Sequence, residues 1–108
     1  MISMHFYIDT TQRDTIILGL DDKRKSIRVE GISELLLPEL QKFLRAKKVK
    51  LAAIKKISVN PGPGGFSSTR TGVATANALA FALGLRQEVV LPKYDKAPNI
   101  TQPKYRKI

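Results

Sequence analysis

"SVNPGPGGFSSTRTGVATANALAFALGL", residues Ser58 to Leu85, places a proline-glycine loop between the end of an apolar, β-branched run and a long alanine-rich stretch. Strand, glycine loop and helix in this order set the course of the chain. The helix is expected from about Phe66 to Leu83, with Gly84 ending it as glycine ends many helices. The loop itself reads two ways. A helix starting near Phe66 aims unpaired N–H groups and partial positive charge at the loop, which suits an anion, and Arg70 adds charge from the first turn. Alternatively, Pro61 and Pro63 stiffen a tight turn while the glycines take backbone angles that other residues avoid. The two common nucleotide motifs do not fit. No lysine lies between Lys56 and Lys93, as a Walker loop requires, and "GPGGFSS" is not G-x-G-x-x-G.

Outward from this stretch, "MHFYID", "TIILGL" and "KSIRVE" are β-branched or aromatic runs parted by polar breaks, the pattern of an antiparallel meander. "SELLLPELQKFLRAKK" carries Leu36, Leu37, Leu40, Phe43, Leu44 and Lys47 at helical spacing, with Ser33 as the expected cap and Pro38 in the first turns. "IKKISVN" reads as a fourth strand, and "EVVLP", closed by Pro92, as a fifth. The order βββαβαβ makes each helix a right-handed crossover and sets the last two strands parallel to the first. The expected architecture is α/β: a single domain over residues 1–92 with a five-stranded mixed sheet and two main helices, then a basic extended tail over 93–108.

The chain has 108 residues, enough for one domain with one core. Nineteen Lys and Arg against nine Asp and Glu give a net charge of +10, a field that favours polyanions or acidic protein surfaces. There is no cysteine and a single histidine, His5, which removes disulfides, thiolate catalysis and Cys- or His-rich metal sites. No apolar run approaches the roughly 20 residues that span a bilayer, and the first residues lack the basic start and apolar stretch of a signal peptide. A cytoplasmic location without membrane contact is therefore expected.

Three features invite function. "YIDTT" ends the first strand with Asp9, Thr10 and Thr11, a set suited to hydrated magnesium and phosphates or, equally, to a structural Asp-Thr turn. Gly72, Ala76 and Ala80 recur every four residues beside Val73 and Ala74, so another helix can approach closely, within the domain or from a partner. Lys42, Arg45, Lys47, Lys48, Lys50, Lys55 and Lys56 follow one another with no acid among them, and Lys93, Lys96, Lys104, Arg106 and Lys107 add to them. Such a run is a solvated face or a surface that tracks phosphates.

"YIDTT", "SELLLPEL" and "NPGPGGFSSTRTGVATANALAFALGL" together closely resemble the TsaB family, the non-catalytic members of the bacterial machinery that makes threonylcarbamoyladenosine beside the anticodon of tRNA. Gly62, Pro63, Gly64, Phe66, Arg70 and Gly72 fall in register with that family's loop, and "QPKYRKI" is similar to its ending. The resemblance implies the N-terminal lobe of an RNase H-like, actin-like (ASKHA) protein in a shortened, single-lobe form. Its phosphate loop, Asp9, Thr10, Thr11, Gly62, Gly64, Gly65 and Arg70, would be vestigial, with no cofactor and no metal. It also implies a scaffold that is not an enzyme and that pairs through its helices with a TsaD-like transferase or a second copy of itself. The metal-dependent transferase carries a histidine pair on a later helix that this chain lacks. The interface would fall on Leu36, Leu40, Phe43, Thr69, Gly72, Val73, Ala76 and Ala80, and tRNA contact on Lys47, Lys48, Lys50, Lys104 and Arg106. Two other readings stand beside it: an autonomous RNA-binding module, and a nucleotide-binding hydrolase using Asp9 and Arg70.

Overall fold

Side-chain alternation along β1 (Met4–Asp9) sends Phe6 and Ile8 to one face of the sheet and His5, Tyr7 and Asp9 to the other. The structure, a computed structural model, describes residues 4–93. β1 pairs antiparallel with β2 (Thr15–Leu20), and β2 pairs antiparallel with β3 (Lys23–Arg28). β4 (Ile54–Val59) joins the other edge of β1 in parallel, giving the order β3-β2-β1-β4. The register places Phe6 beside Leu20 and Ile57, and Ile8 beside Leu18 and Val59, so the apolar positions of three strands share one face.

Helices α1 (Ile32–Ala46) and α2 (Phe66–Ala82) both cover that face. Ile32, Leu36, Leu40, Phe43 and Leu44 form the inward stripe of α1, and the Phe43 ring meets Phe6 at 6.2 Å between centroids. α2 presents Thr69, Gly72, Val73, Ala76 and Ala80 inward, all buried. These side chains are small because the helix lies close to the end of β1. A Cβ on Gly72 would overlap the Thr10 hydroxyl, which donates to the Ser68 carbonyl at 2.6 Å. Gly84, at φ 70, follows α2 as the sequence indicates.

Three details differ from the sequence reading. β3 starts at Lys23, not Lys25, because Asp21 takes a left-handed turn conformation (φ 56) that closes the hairpin early and pairs Lys23 with Leu20. α1 begins one residue before Ser33. Gly31 precedes it at φ 91, and the Ser33 hydroxyl is bonded to Thr71 Oγ1 at 2.9 Å instead of capping the helix. The expected fifth strand is not formed, so the sheet has four strands among the described residues. The outward amide of Ile57, where a fifth strand would pair, is taken by a side chain. Gln87 Oε1 accepts from Ile57 N–H at 3.2 Å, and Gln87 Nε2 donates to the Ile57 carbonyl at 2.7 Å. Asn77 bonds both the N–H and the carbonyl of Val90 in the same manner, at 3.0 and 2.9 Å. Two amide side chains thus hold "EVVLP" where a backbone ladder was expected. The proposed tail, apart from Lys93, lies outside the described residues.

Two substitutions in α2 act in opposite directions. Gly72→Ala forces a methyl against Thr10 and lowers unfolding free energy by about 1–3 kcal/mol, the usual cost of overpacking. Thr69 is buried with its Oγ1 lacking a partner, so Thr69→Val removes an unsatisfied hydroxyl and raises stability by about 1 kcal/mol. Urea titrations of the purified variants measure both.

Candidate functional site

The carboxylate of Asp9 ends β1 and is buried. Its Oδ1 accepts from the Thr11 N–H at 2.9 Å and the Thr11 hydroxyl at 2.7 Å, and its Oδ2 accepts from Asn60 Nδ2 at 3.1 Å and the Tyr7 hydroxyl at 3.3 Å. Burial alone would raise its pKa, but these bonds favour the charged form and hold it below the ordinary aspartate value. The Tyr7 hydroxyl is shifted upward, first by burial and then by the charge of Asp9. Asp9 therefore ties the end of β1 to its own turn and to the end of β4.

The glycine loop packs against the same turn. A Cβ on Gly64 would overlap Thr11, and one on Gly62, which sits at φ 112, would overlap the Lys93 carbonyl. Asn60 Oδ1 accepts from the Gly62 N–H at 3.0 Å. Gly65 is the residue before α2 and offers the helix no side-chain cap. Arg70 lies over the Phe66 ring, 5.5 Å from its centroid. Thr11, Gly65, Ser67 and Ser68 line one wall of an open cleft of about 670 Å³, and Gly31, Ser33 and Glu34 line the other, so both helices begin at this cleft. Glu34 folds its carboxylate back toward Gly31, and Asp14 is also on the rim beside Arg13 at 3.9 Å. Asp9, Thr10, Thr11, Gly62, Gly64 and Gly65 thus gather at one junction, whereas Arg70 lines a separate groove with Ser33, Thr71 and Ala74. Asp9 faces donors of its own chain, and carboxylates share the cleft. Among the described residues no group of three or more His, Cys, Asp or Glu is placed to hold a metal ion.

The eight residues expected at a partner interface, Leu36, Leu40, Phe43, Thr69, Gly72, Val73, Ala76 and Ala80, are all buried in the core of this chain. The small-residue stripe on which the outward reading relied faces β1 and β4, because small side chains are what the close approach of α2 to Thr10 demands. The outer helix surface is made of other residues. Leu37 is 53% exposed and Phe81 87% exposed, with Ala74 and Ala78 open between them along α2. Since both helices start at the same cleft and Ser33 meets Thr71, Leu37 and Ala74 each lie about one turn further along neighbouring helices. The signal for Leu37 was its place beside Leu36: two adjacent leucines cannot share one face of a helix.

Lys47, Lys48 and Lys50 are exposed at the turn after α1. Lys47 stands 5.8 Å from the Phe43 ring centroid, and Lys48 takes a left-handed φ of 58. Lys104 and Arg106 lie outside the described residues. A basic group that the sequence reading passed over is on β3, where Lys23, Arg24, Lys25 and Arg28 are all exposed on an edge strand. Lys25 shares a groove with Lys42 of α1, which pairs with Glu39 at 3.6 Å, and with Lys47 just after the helix.

Residues 29–90 match the TsaD family, described as tRNA N6-adenosine threonylcarbamoyltransferase, and the chain belongs to that family. Among solved structures it is similar to YeaZ from Pseudomonas aeruginosa, with a TM-score of 0.71 and 25% identity over 87% of this chain and 45% of that one. An uncharacterized protein with similarity to peptidase YEAZ, also from Pseudomonas aeruginosa, gives a TM-score of 0.71 and 25% identity, covering 87% of this chain and 44% of the other. The chain thus spans less than half the length of these relatives. No curated protein matches it. Among the described residues no helix is long and apolar enough to cross a membrane.

Because the folded-state pKa of Asp9 is depressed, its stabilising contribution is present above the unfolded value of about 3.9 and is lost as pH falls through the folded value. Asp9→Asn therefore lowers stability at neutral pH, and its deficit against the parent shrinks as pH falls below the unfolded aspartate value. Urea midpoints measured across this range show the convergence.

Proposed function

We propose that the chain is a non-catalytic, TsaB-like subunit of the tRNA threonylcarbamoyladenosine machinery, which docks on a TsaD-like transferase in the cytoplasm. The observation that carries this reading is an apolar patch on the outer helix surface, formed by Leu37 of α1 with Ala74, Ala78 and Phe81 of α2. Leu37 and Phe81 are large, exposed and separated by alanines, so a facing helix can pack closely between them. The likeness to YeaZ and membership of the TsaD family supply the pathway. Asp9 supports a non-enzymatic role, since both of its oxygens are taken up by Thr11, Asn60 and Tyr7. A group so engaged is a poor base and a poor ligand for magnesium.

The test is co-purification with the TsaD-like protein of the same cell. Leu37→Glu and Phe81→Glu, both at exposed positions, leave the helical circular dichroism unchanged and each weaken the complex by at least about tenfold, as expected for large apolar anchors. Binding of both variants at parental affinity contradicts the reading.

A further inference from the structure

Both helices lie on one face of the sheet, and among the described residues no helix or strand covers the other. On that face the register aligns Tyr7 of β1, Gly19 of β2 and Arg24 of β3 in one row across the strands. Arg24 belongs to the edge strand, yet its guanidinium Cζ stands 4.0 Å from the Tyr7 ring centroid, two strands away. It reaches there because Gly19 leaves the path open: a Cβ at Gly19 would lie 2.9 Å from Arg24 Cγ and 3.5 Å from Tyr7 Cβ. The Tyr7 hydroxyl is held by Asp9, which fixes the ring beneath the guanidinium.

This stack is set among cations. Arg28 lies on the same face of β3, and Lys56 lies beside His5 on β4. Arg24, Arg28 and Lys56 form no ion pair with a described residue. Of the carboxylates near this face, Asp9 is engaged by its four donors, Asp21 and Asp22 stand at the β2–β3 turn, where Asp21 accepts from the His5 N–H, and Asp14 and Glu30 share a groove with Arg28 without forming an ion pair to it. A planar guanidinium resting on an aromatic ring offers its outer plane for stacking, and unpaired bases in RNA loops stack on such planes while lysine and arginine contact the flanking phosphates. The net charge of +10 complements such a ligand.

We propose that the helix-free face of the sheet binds single-stranded RNA of the kind presented by a tRNA anticodon loop. Arg24, seated on Tyr7, stacks an unpaired base, and Arg28 and Lys56 contact phosphates on either side. The inference rests on the reading that the chain serves tRNA modification, and it assigns the RNA to the opposite side of the molecule from the transferase.

The test is fluorescence anisotropy of a labelled anticodon stem-loop RNA with the full chain, titrated at several salt concentrations. Arg24→Ala lowers affinity by about tenfold, and Arg24→Lys, which keeps the charge but loses the plane, recovers only part of that loss. Arg28→Ala with Lys56→Ala reduces the salt slope by roughly 0.7 for each phosphate contact removed. Gly19→Ala, which keeps every charge but displaces Arg24 from Tyr7, weakens binding while leaving the slope unchanged. Parental affinity in Arg24→Ala, or full recovery in Arg24→Lys, overturns the proposal. So does loss of binding only when Lys47 and Lys48 are changed. A chain that holds the transferase but shows no Arg24-dependent RNA binding removes this inference and leaves the proposed function standing.

Discussion

Everything else in the fold depends on the close approach of α2 to the end of β1. Thr10 fills the space where Gly72 lacks a side chain, and its hydroxyl reaches the Ser68 carbonyl at 2.6 Å. A helix held so near the sheet accommodates only small residues on its inner face, which accounts for Ala76 and Ala80. The same approach sets Gly64 against Thr11 and fixes the loop that precedes the helix. Asp9 reinforces the junction by gathering Thr11, Asn60 and Tyr7 around one carboxylate. What first resembles a phosphate loop is, in this chain, the seam that joins β1, β4 and α2.

That seam explains which parts of the sequence were legible. β1, β2, β4 and both helices follow from alternation, from the leucines of α1 and from Gly84, because each of those signals is local. The fifth strand was misread because "EVVLP" has strand composition, whereas the groups that decide its fate are the side chains of Gln87 and Asn77, which bond Ile57 and Val90. Nothing in the run itself announces that. The small-residue stripe was legible as a close-packing surface, but small residues serve a sheet and a partner equally well, so only the position of Thr10 settled the direction. Leu37 and Phe81 emerge as the outer face by subtraction. The contact of Arg24 with Tyr7 was beyond reach, since it needs the strand register and the gap at Gly19.

The molecule consequently has two unlike surfaces. The outer sides of α1 and α2 are apolar around Leu37 and Phe81, while the helix-free side of the sheet is cationic around Arg24, Arg28 and Lys56. A subunit that meets a protein on one side and RNA on the other needs such a division. The buried charge of Asp9 lies on the helix-free side with Tyr7, and its hydrogen bonds to Thr11, Asn60 and Tyr7 explain why an acidic residue can stand there in a strongly basic chain.

The most direct measurement is hydroxyl-radical footprinting of the full chain with and without the TsaD-like transferase, read residue by residue by mass spectrometry. The account predicts that oxidation of Leu37 and Phe81 falls several-fold in the complex while that of Tyr7, on the opposite face, is unchanged. Unaltered labelling of Leu37 and Phe81 in a complex that has formed would contradict it.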